Sequence, residues 1–178
     1  MRIAYADPPY LGSAAKHYAD KHEDAADFDT LEAHADLIQR LQAFDGWALS
    51  MTSGNLRDLL PLCPPDVRVM AWVKPFASFK PNVNPAYAWE PIVVKPARAL
   101  GRDRDTARDW VSANITLQTG MPGAKPLDFC IWLFEVLGLE AGDEFADLFP
   151  GSGAVGDAYR GWIGRPYAIG LFQVEGER

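Results

Sequence analysis

Two short runs near the ends of the chain carry the residues best suited to chemistry. The first is Asp7-Pro8-Pro9-Tyr10, which directly follows a predicted strand. The prolines hold the backbone rigid, so the Asp7 carboxylate and the nearby carbonyl groups face a fixed point as acceptors. Such acceptors suit an amino nitrogen conjugated to a ring, because they favour the pyramidal form in which its lone pair can act as a nucleophile. Tyr10 adds a flat face for stacking. The alternative is a surface turn with a solvated Asp.

The second run is Asp147-Leu148-Phe149-Pro150-Gly151-Ser152-Gly153, at the end of another predicted strand. Its glycines permit positive φ angles and close backbone approach, and the helix that follows offers free N–H groups to an anion or polar ligand. The pattern predicts a cofactor cradle. It lacks both the Gly-Lys-Ser/Thr of a phosphate loop and the G-x-G-x-x-G spacing of a dinucleotide site. A plain strand-to-helix connection remains the alternative.

Strands and helices alternate along the chain, which predicts an α/β fold with a largely parallel sheet. A cap at Asp29 with Glu32 three residues later predicts the first helix, with its apolar stripe at Leu31, Ala35, Ile38 and Leu41. Ligands of such sheets bind beyond the carboxyl ends of the strands, where both motifs are predicted to lie. The predicted strands are 2–6, 47–51, 67–73, 87–94, 145–149 and 166–174. The further helices are 55–62, 126–137 and 154–162. The predicted loops are 11–28 and 74–85, and residues 97–124 show no period.

Length and composition indicate one soluble globular domain over residues 1–178. Hydrophobic residues make up 48% and charged residues 23% of the chain. No run approaches the length of a membrane helix and no signal peptide is evident, so we expect a cytoplasmic protein. Cys63 and Cys130 have no nearby Cys or His, so we expect buried free thiols and no metal site.

The net charge of −7 weighs against tight, unaided binding of nucleic acid, since phosphate contacts normally need a basic surface. The charge is uneven, however. Acidic residues concentrate in 20–36 and basic residues in 95–108. The basic stretch predicts either a phosphate-contacting patch or a solvated, salt-bridged face. Its basic members are Lys95, Arg98, Arg102, Arg104 and Arg108.

Taken together, the two motifs resemble those of the exocyclic-amino DNA methyltransferases, which use S-adenosylmethionine (SAM) to methylate adenine N6 or cytosine N4. The order resembles the permuted group, in which the catalytic tetrad precedes the cofactor loop. Lys125-Pro126 resembles the segment before the cofactor strand of that group. Gly164-Arg165-Pro166-Tyr167-Ala168-Ile169-Gly170 resembles a family segment that follows the loop, with one extra residue. Trp72, Lys74 and Glu90 resemble family positions in the middle of the chain.

This resemblance implies a Rossmann-like methyltransferase fold, with a twisted sheet, helices on both faces and a circularly permuted motif order. It implies direct methyl transfer from SAM to a flipped-out base in DNA, without a metal or a covalent intermediate. Asp at the head of the tetrad favours adenine N6, with cytosine N4 or RNA as alternatives. The implied catalytic residues are Asp7, Pro8, Pro9 and Tyr10. The implied cofactor residues are Lys125, Asp147, Phe149, Gly151, Ser152 and Gly153, with Lys125 and Asp147 at the methionine end of SAM.

The sequence departs from the family pattern in ways that bear on function. Phe172 stands where the family places an acid for the ribose hydroxyls, and Glu175 is the nearest acid. Residues 96–124 are too few for a separate target-recognition domain. These features predict low sequence specificity, or reliance on a specificity partner or a homodimer. They also leave open a non-catalytic binder that kept the fold.

Other residues receive weaker expectations. His17, His22 and His34 are predicted to be solvated, because they lack ligand spacing. Trp72, Trp89 and Trp110 are predicted to be core residues rather than base-stacking ones. The segment 11–28 follows the tetrad directly and is a candidate lid.

Overall fold

The computed structural model describes residues 1–12, 30–76, 83–101, 105–115 and 124–163, within which the chain forms six strands and four α-helices, with short 3-10 helices on both sides of the second α-helix. The predicted strand over 166–174 and residues 13–28 of the candidate lid lie outside these ranges. The strands are β1 (Arg2–Ala6), β2 (Gly46–Ser50), β3 (Arg68–Val73), β4 (Trp89–Lys95), β5 (Trp110–Ser112) and β6 (Glu144–Asp147). The helices are α1 (Leu31–Leu41), α2 (Leu56–Leu59), α3 (Leu127–Leu137) and α4 (Ala154–Ile163).

The described strands form one sheet in the order β5-β3-β4-β2-β1-β6. Strand β1 lies parallel to β2 and to β6, and β3 lies parallel to β5. Strand β4 is antiparallel to both of its neighbours, β2 and β3. The prediction of a largely parallel sheet is confirmed. Because β4 runs in the opposite direction, its first residues lie at the end of the sheet where the parallel strands terminate.

Hydrophobic side chains cover both faces of the sheet, because successive residues of a strand point to opposite sides. On β1, Ile3 and Tyr5 join the core cluster that contains residues of α3 and α4. Ala4 and Ala6 join the other cluster, which contains residues of α1 and α2. Helices therefore lie on both faces, as predicted. The fully buried Tyr5 and Ala6 lead straight into the tetrad, so the core fixes the place where the tetrad begins.

Helix α3 agrees with its predicted boundaries. It follows Pro126, which caps it in an extended conformation, and ends at Gly138, whose φ of 70° is left-handed. Glycine adopts this conformation without the steric cost that a Cβ atom brings. Phe129 and Phe134 of α3 are fully buried against the sheet, and each such burial contributes about 1.5–3 kcal/mol.

Helix α1 differs from the prediction in its cap and in its buried face. Thr30, one residue after the predicted cap Asp29, accepts a hydrogen bond from the backbone N–H of Ala33 at 3.2 Å. Leu31 is 46% exposed, whereas His34 is buried, with its Nδ1 atom 3.0 Å from the carbonyl oxygen of Thr30. The expectation that His34 is solvated was therefore wrong. The buried face of α1 therefore includes His34 and excludes Leu31, which the apolar pattern had placed there.

Strand β5 lies in the stretch that shows no period in sequence. It has three residues, too few for an alternating pattern to stand out, and it pairs with the edge of β3. Two buried indoles hold the surrounding backbone: Trp72 Nε1 donates to the carbonyl oxygen of Ala113 at 2.9 Å, and Trp132 Nε1 donates to that of Arg108 at 2.8 Å. Tertiary contacts rather than local sequence thus define this edge.

Candidate functional site

The tetrad and the glycine loop lie side by side because their strands are neighbours. Tyr5 of β1 is in register with Asp147 of β6, and the N–H of Leu148 donates to the carbonyl oxygen of Tyr5 at 2.9 Å. Both motifs therefore leave the sheet at the carboxyl ends of the parallel strands β1 and β6. They line a shared cavity of about 40 Å³, to which Asp7, Phe149 and Gly151 contribute.

Asp7 and Tyr10 contact each other within the tetrad. The Tyr10 hydroxyl donates to Asp7 Oδ1 at 3.3 Å. Burial, followed by the negative charge of Asp7, raises the pKa of Tyr10 well above its ordinary value, so the phenol stays neutral. Asn55 Nδ2 donates to the carbonyl oxygen of Leu11 at 3.3 Å and anchors the chain just after the tetrad. The segment is therefore attached on both sides of Tyr10.

Lys125 meets the tetrad from the start of α3. Its Nζ atom lies 2.8 Å from Asp7 Oδ2, and only 6% of its side chain is exposed. The ammonium also faces the rings of Trp72, at 5.2 Å, and Phe129, at 5.7 Å. Burial lowers the pKa of Lys125, but the surrounding negative groups, Asp7 first, outweigh it and raise the pKa well above its ordinary value. The lysine is therefore charged.

Glu90 and Lys74 extend this arrangement away from the tetrad. Glu90, on β4, forms an ion pair with Lys74, which directly follows β3. Its other oxygen, Oε2, lies 3.7 Å from Lys125 Nζ. Burial raises the pKa of Glu90, but the charges of Lys125 and Lys74, helped by the hydrogen bond from Lys74 and by the nearby Tyr10 hydroxyl, outweigh it and lower the pKa. For Lys74, burial is the largest effect and lowers the pKa. Asp7, Lys125, Glu90 and Lys74 form a row of alternating charges, called here the charge row.

The glycine loop makes a tight turn between β6 and α4. Gly151 and Gly153 have φ angles of 46° and 77°, and the N–H of Gly153 donates to the carbonyl oxygen of Pro150 at 2.6 Å. Asp147 Oδ1 accepts the N–H of Phe149 at 3.3 Å, and Ser152 Oγ accepts that of Ala154 at 3.4 Å. A Cβ atom on Gly153 would meet nothing within 4 Å, so open space adjoins the loop.

A larger open cleft of about 450 Å³ lies between the start of α3 and α4. Lys125 and Ser152 line both this cleft and the small shared cavity. The walls of the larger cleft also include Leu127, Ile131 and Trp162. The volume is within the range of small-molecule sites. A cleft large enough for a small molecule therefore adjoins the cavity that contains the Asp7 carboxylate.

The structure brings all ten predicted site residues to this edge of the sheet, with one change of neighbour. The ammonium of Lys125, assigned by resemblance to the cofactor, is held by Asp7 of the tetrad. Sequence reasoning missed Ser50, whose Oγ shares a hydrogen bond of 2.7 Å with the buried Tyr5 hydroxyl beneath the tetrad. The available signal was a polar residue at the end of an otherwise apolar strand. Phe172, Glu175 and the segment 164–170 lie outside the described residues.

The remaining expectations have mixed outcomes. Trp72 is buried, as predicted, whereas Trp89 and Trp110 are 39% and 42% exposed. In the basic stretch, Arg98 pairs with Asp143 and Lys95 pairs with Asp66, which supports the salt-bridged alternative for these residues. Cys130 is buried, but Cys63 is partly exposed. Arg102, Arg104, His17 and His22 lie outside the described ranges.

The described residues contain neither a group of side chains suited to a metal ion nor a membrane-spanning helix. No group of three or more His, Cys, Asp or Glu residues in those ranges could hold a metal ion. Within the same ranges, no helix is both long enough and apolar enough to cross a membrane.

Comparison with known proteins identifies the fold. No protein-family model and no curated protein matches the chain. The crystal structure of M1.HpyAVI in complex with SAM aligns with a TM-score of 0.56 and 17% identity, covering 90% of this chain and 78% of that chain. A crystal structure of M1.HpyAVI aligns with a TM-score of 0.54 and 13% identity, covering 91% and 76%. The chain has a Rossmann-like α/β methyltransferase fold, which confirms the predicted fold class.

Proposed function

We propose that the protein is a SAM-dependent methyltransferase that methylates the N6 amino group of adenine in DNA. The observation that carries the proposal is the junction of the tetrad with the glycine loop at the ends of the paired strands β1 and β6. One motif suits a conjugated amino group and the other a cofactor. The likeness to M1.HpyAVI, which was crystallised with SAM, supports the choice of cofactor.

The residues around the glycine loop fit SAM. Open space lies beside Gly153, and the neighbouring cleft is large enough for a ligand of this size. When bound, SAM supplies a methyl group on a positively charged sulfur. In this proposal Phe149, Gly151, Ser152 and Gly153 hold the cofactor. Asp147, whose pKa is raised by burial, lies at the base of the loop and orders it through the N–H of Phe149.

The tetrad would hold the target base. Asp7 accepts a hydrogen bond from the amino group, and the rigid backbone of Pro8 and Pro9 presents a second acceptor from a fixed direction. Tyr10, kept neutral by burial, offers its ring for stacking. Transfer of the methyl group to the amino nitrogen would leave the sulfur as a neutral thioether, and the nitrogen would release one proton to water. The proposal needs no covalent bond between the protein and the base.

Two features of the sequence bear on the target base and on the breadth of DNA sequences that the protein would accept. Asp7 at the head of the tetrad favours adenine over cytosine by resemblance. The net charge of −7 and the short stretch 96–124 favour low sequence specificity or a partner that supplies contacts. The permuted motif order and the single-domain organisation of residues 1–178 belong to the same proposal.

Titration calorimetry and product analysis test the proposal together. The protein is first titrated with SAM and with its demethylated product, and we expect saturable binding of both. It is then incubated with methyl-labelled SAM and single-stranded DNA, duplex DNA or RNA, and the digested products are analysed by mass spectrometry. N6-methyladenine in DNA supports the proposal, whereas N4-methylcytosine or methylated RNA redirects it within the same reaction class.

A non-catalytic binder is the second candidate, and one observation favours it. Both carboxylate oxygens of Asp7 already have partners, since Lys125 holds Oδ2 and Tyr10 holds Oδ1. Cofactor binding without transfer to any of the nucleic acids would establish this alternative. The absence of cofactor binding would contradict both candidates.

A further inference from the structure

The charge row is unequal around Lys125. The ammonium is 2.8 Å from Asp7 Oδ2 and 3.7 Å from Glu90 Oε2, so it makes a hydrogen bond to Asp7 and leaves Glu90 just beyond that range. Glu90 Oε2 is buried and, among the described residues, has no hydrogen-bond partner. A buried carboxylate oxygen without a partner is costly. Glu90 Oε2, an acceptor without a hydrogen bond, therefore lies beside the Lys125 ammonium, which donates to Asp7 instead.

The proposed reaction, on which this inference rests, brings a new donor to Asp7, whose oxygens already accept from Lys125 and Tyr10. A carboxylate oxygen can accept more than one hydrogen bond, so a target amino group at Oδ2 would compete with the Lys125 ammonium for that oxygen. The donor on Oδ2 is Lys125, which is buried and positively charged, so it cannot leave for solvent without a large desolvation and pairing cost. A second anion within reach of the ammonium would lower the cost of a displacement from Asp7.

Glu90 is such an anion. We propose that Glu90 is a positioning residue that receives the Lys125 ammonium when the target amino group takes its place at Asp7. A shift of Nζ by about 1 Å suffices to bring Lys125 within hydrogen-bond distance of Oε2. Glu90 touches neither base nor cofactor in this role and acts through Lys125.

The surroundings of Glu90 support the role. Its Oε1 atom is held by Lys74, whose own ammonium lies 4.4 Å from the centre of the Trp72 ring. Oε1 is thus fixed while Oε2 faces Lys125. The depressed pKa of Glu90 and the raised pKa of Lys125 keep both groups charged across the physiological range. The Tyr10 hydroxyl also faces the Glu90 carboxylate, which connects Glu90 to the tetrad from a second side.

The first test is structural and does not depend on activity. In a crystal structure of the Asp7→Ala variant, Lys125 Nζ should lie within about 3.2 Å of Glu90 Oε2. A structure in which Lys125 stays near its present position, or turns to another acceptor, would overturn the inference. Because this readout needs no methyl transfer, it decides the inference even if the proposed function fails.

The second test is kinetic. In single-turnover reactions, Glu90→Gln should slow methyl transfer at least tenfold, with the dissociation constant for SAM unchanged, and Glu90→Asp should recover part of the rate. Glu144→Gln is the matched control. Glu144, on β6, is exposed and pairs with Arg2, so this variant should leave the rate unchanged. A Glu90→Gln rate within twofold of the unmodified protein would contradict the inference. An unmodified protein that transfers no methyl group at all would instead contradict the proposed function alone.

Discussion

Tyr5 of β1 and Asp147 of β6 are paired in parallel register at the edge of the sheet where the candidate site lies. Two residues beyond Tyr5 comes Asp7, and two residues beyond Asp147 comes Phe149. The pairing therefore brings together two motifs that are about 140 residues apart in sequence. Because the side-chain period of a strand is two, a slip of one residue would turn Tyr5 and its neighbours to the wrong face of the sheet.

Asp7→Ala should abolish methyl transfer while SAM binding is largely retained. The side chain is assigned to the target amino group, and the glycine loop that is assigned to SAM stays intact. The measurements are methyl transfer from labelled SAM and calorimetric titration of the same preparation. Full activity in this variant would remove the tetrad from the catalytic assignment.

Lys125→Met should destabilise the fold by roughly 3 kcal/mol, since it leaves Asp7 and Glu90 without their shared buried cation. Lys95→Met is the matched control. Lys95 pairs with the exposed Asp66 at 3.5 Å, and the loss of such a surface pair costs less than about 1 kcal/mol. Urea unfolding monitored by circular dichroism measures both. Equal losses in the two variants would show that Lys125 is not a buried partner of the two acids.

Gly153→Ala should weaken SAM binding by at least tenfold. The new methyl group enters the open space beside the loop, where the proposal places the cofactor. It also strains a backbone with φ near 77°. Gly142→Ala provides the control for strain, because Gly142 has a φ of 94° with open space around it and lies before β6, on the side of that strand away from the loop. Equal SAM affinity in both variants would assign the loop a purely structural role.

Stability should fall with acid through Asp143. Hydrogen bonds from Arg98, at 2.8 and 2.9 Å, outweigh the effect of burial and hold the pKa of Asp143 well below its ordinary value. A depressed folded-state pKa stabilises the protein above the unfolded pKa near 3.9 and loses that contribution as the pH falls toward the folded value. Removing one charged partner from such a pair at pH 7 costs on the order of 3 kcal/mol.

Asp143→Asn tests this pH dependence. The variant should be less stable than the unmodified protein at pH 7, and the two unfolding free energies should converge as the pH falls below about 3.9. Unfolding by urea at a series of pH values measures both curves. Parallel curves across that range would contradict the assignment of the acid sensitivity to Asp143.

Features with strong local signals were predictable from the sequence. Pro126 and Gly138 mark the ends of α3 because one fixes an extended approach and the other permits a left-handed residue. The tetrad and the glycine loop were recognisable because prolines fix the backbone and glycines permit conformations that other residues rarely adopt. The α/β class with a largely parallel sheet followed from the alternation of the elements, and the Rossmann-like methyltransferase fold followed from the resemblance of the two motifs.

Features that depend on tertiary contacts were not predictable. Strand β5 exists because β3 offers an edge and two indoles hold the flanking backbone. The burial of His34 depends on the way α1 is set against the sheet. The contact between Lys125 and Asp7 joins residues that are far apart in sequence, and no local pattern marks it.

The charge row also restricts how this protein can vary during evolution. Two acids and two bases cancel within a partly enclosed space, so a change that neutralises one member leaves an uncompensated charge beside the tetrad. Loss of the Glu90 charge would be tolerated best together with loss of the Lys74 charge. Across homologous sequences, positions 74 and 90 should therefore covary as a pair, and a lineage without the proposed activity should be free to lose all four charges.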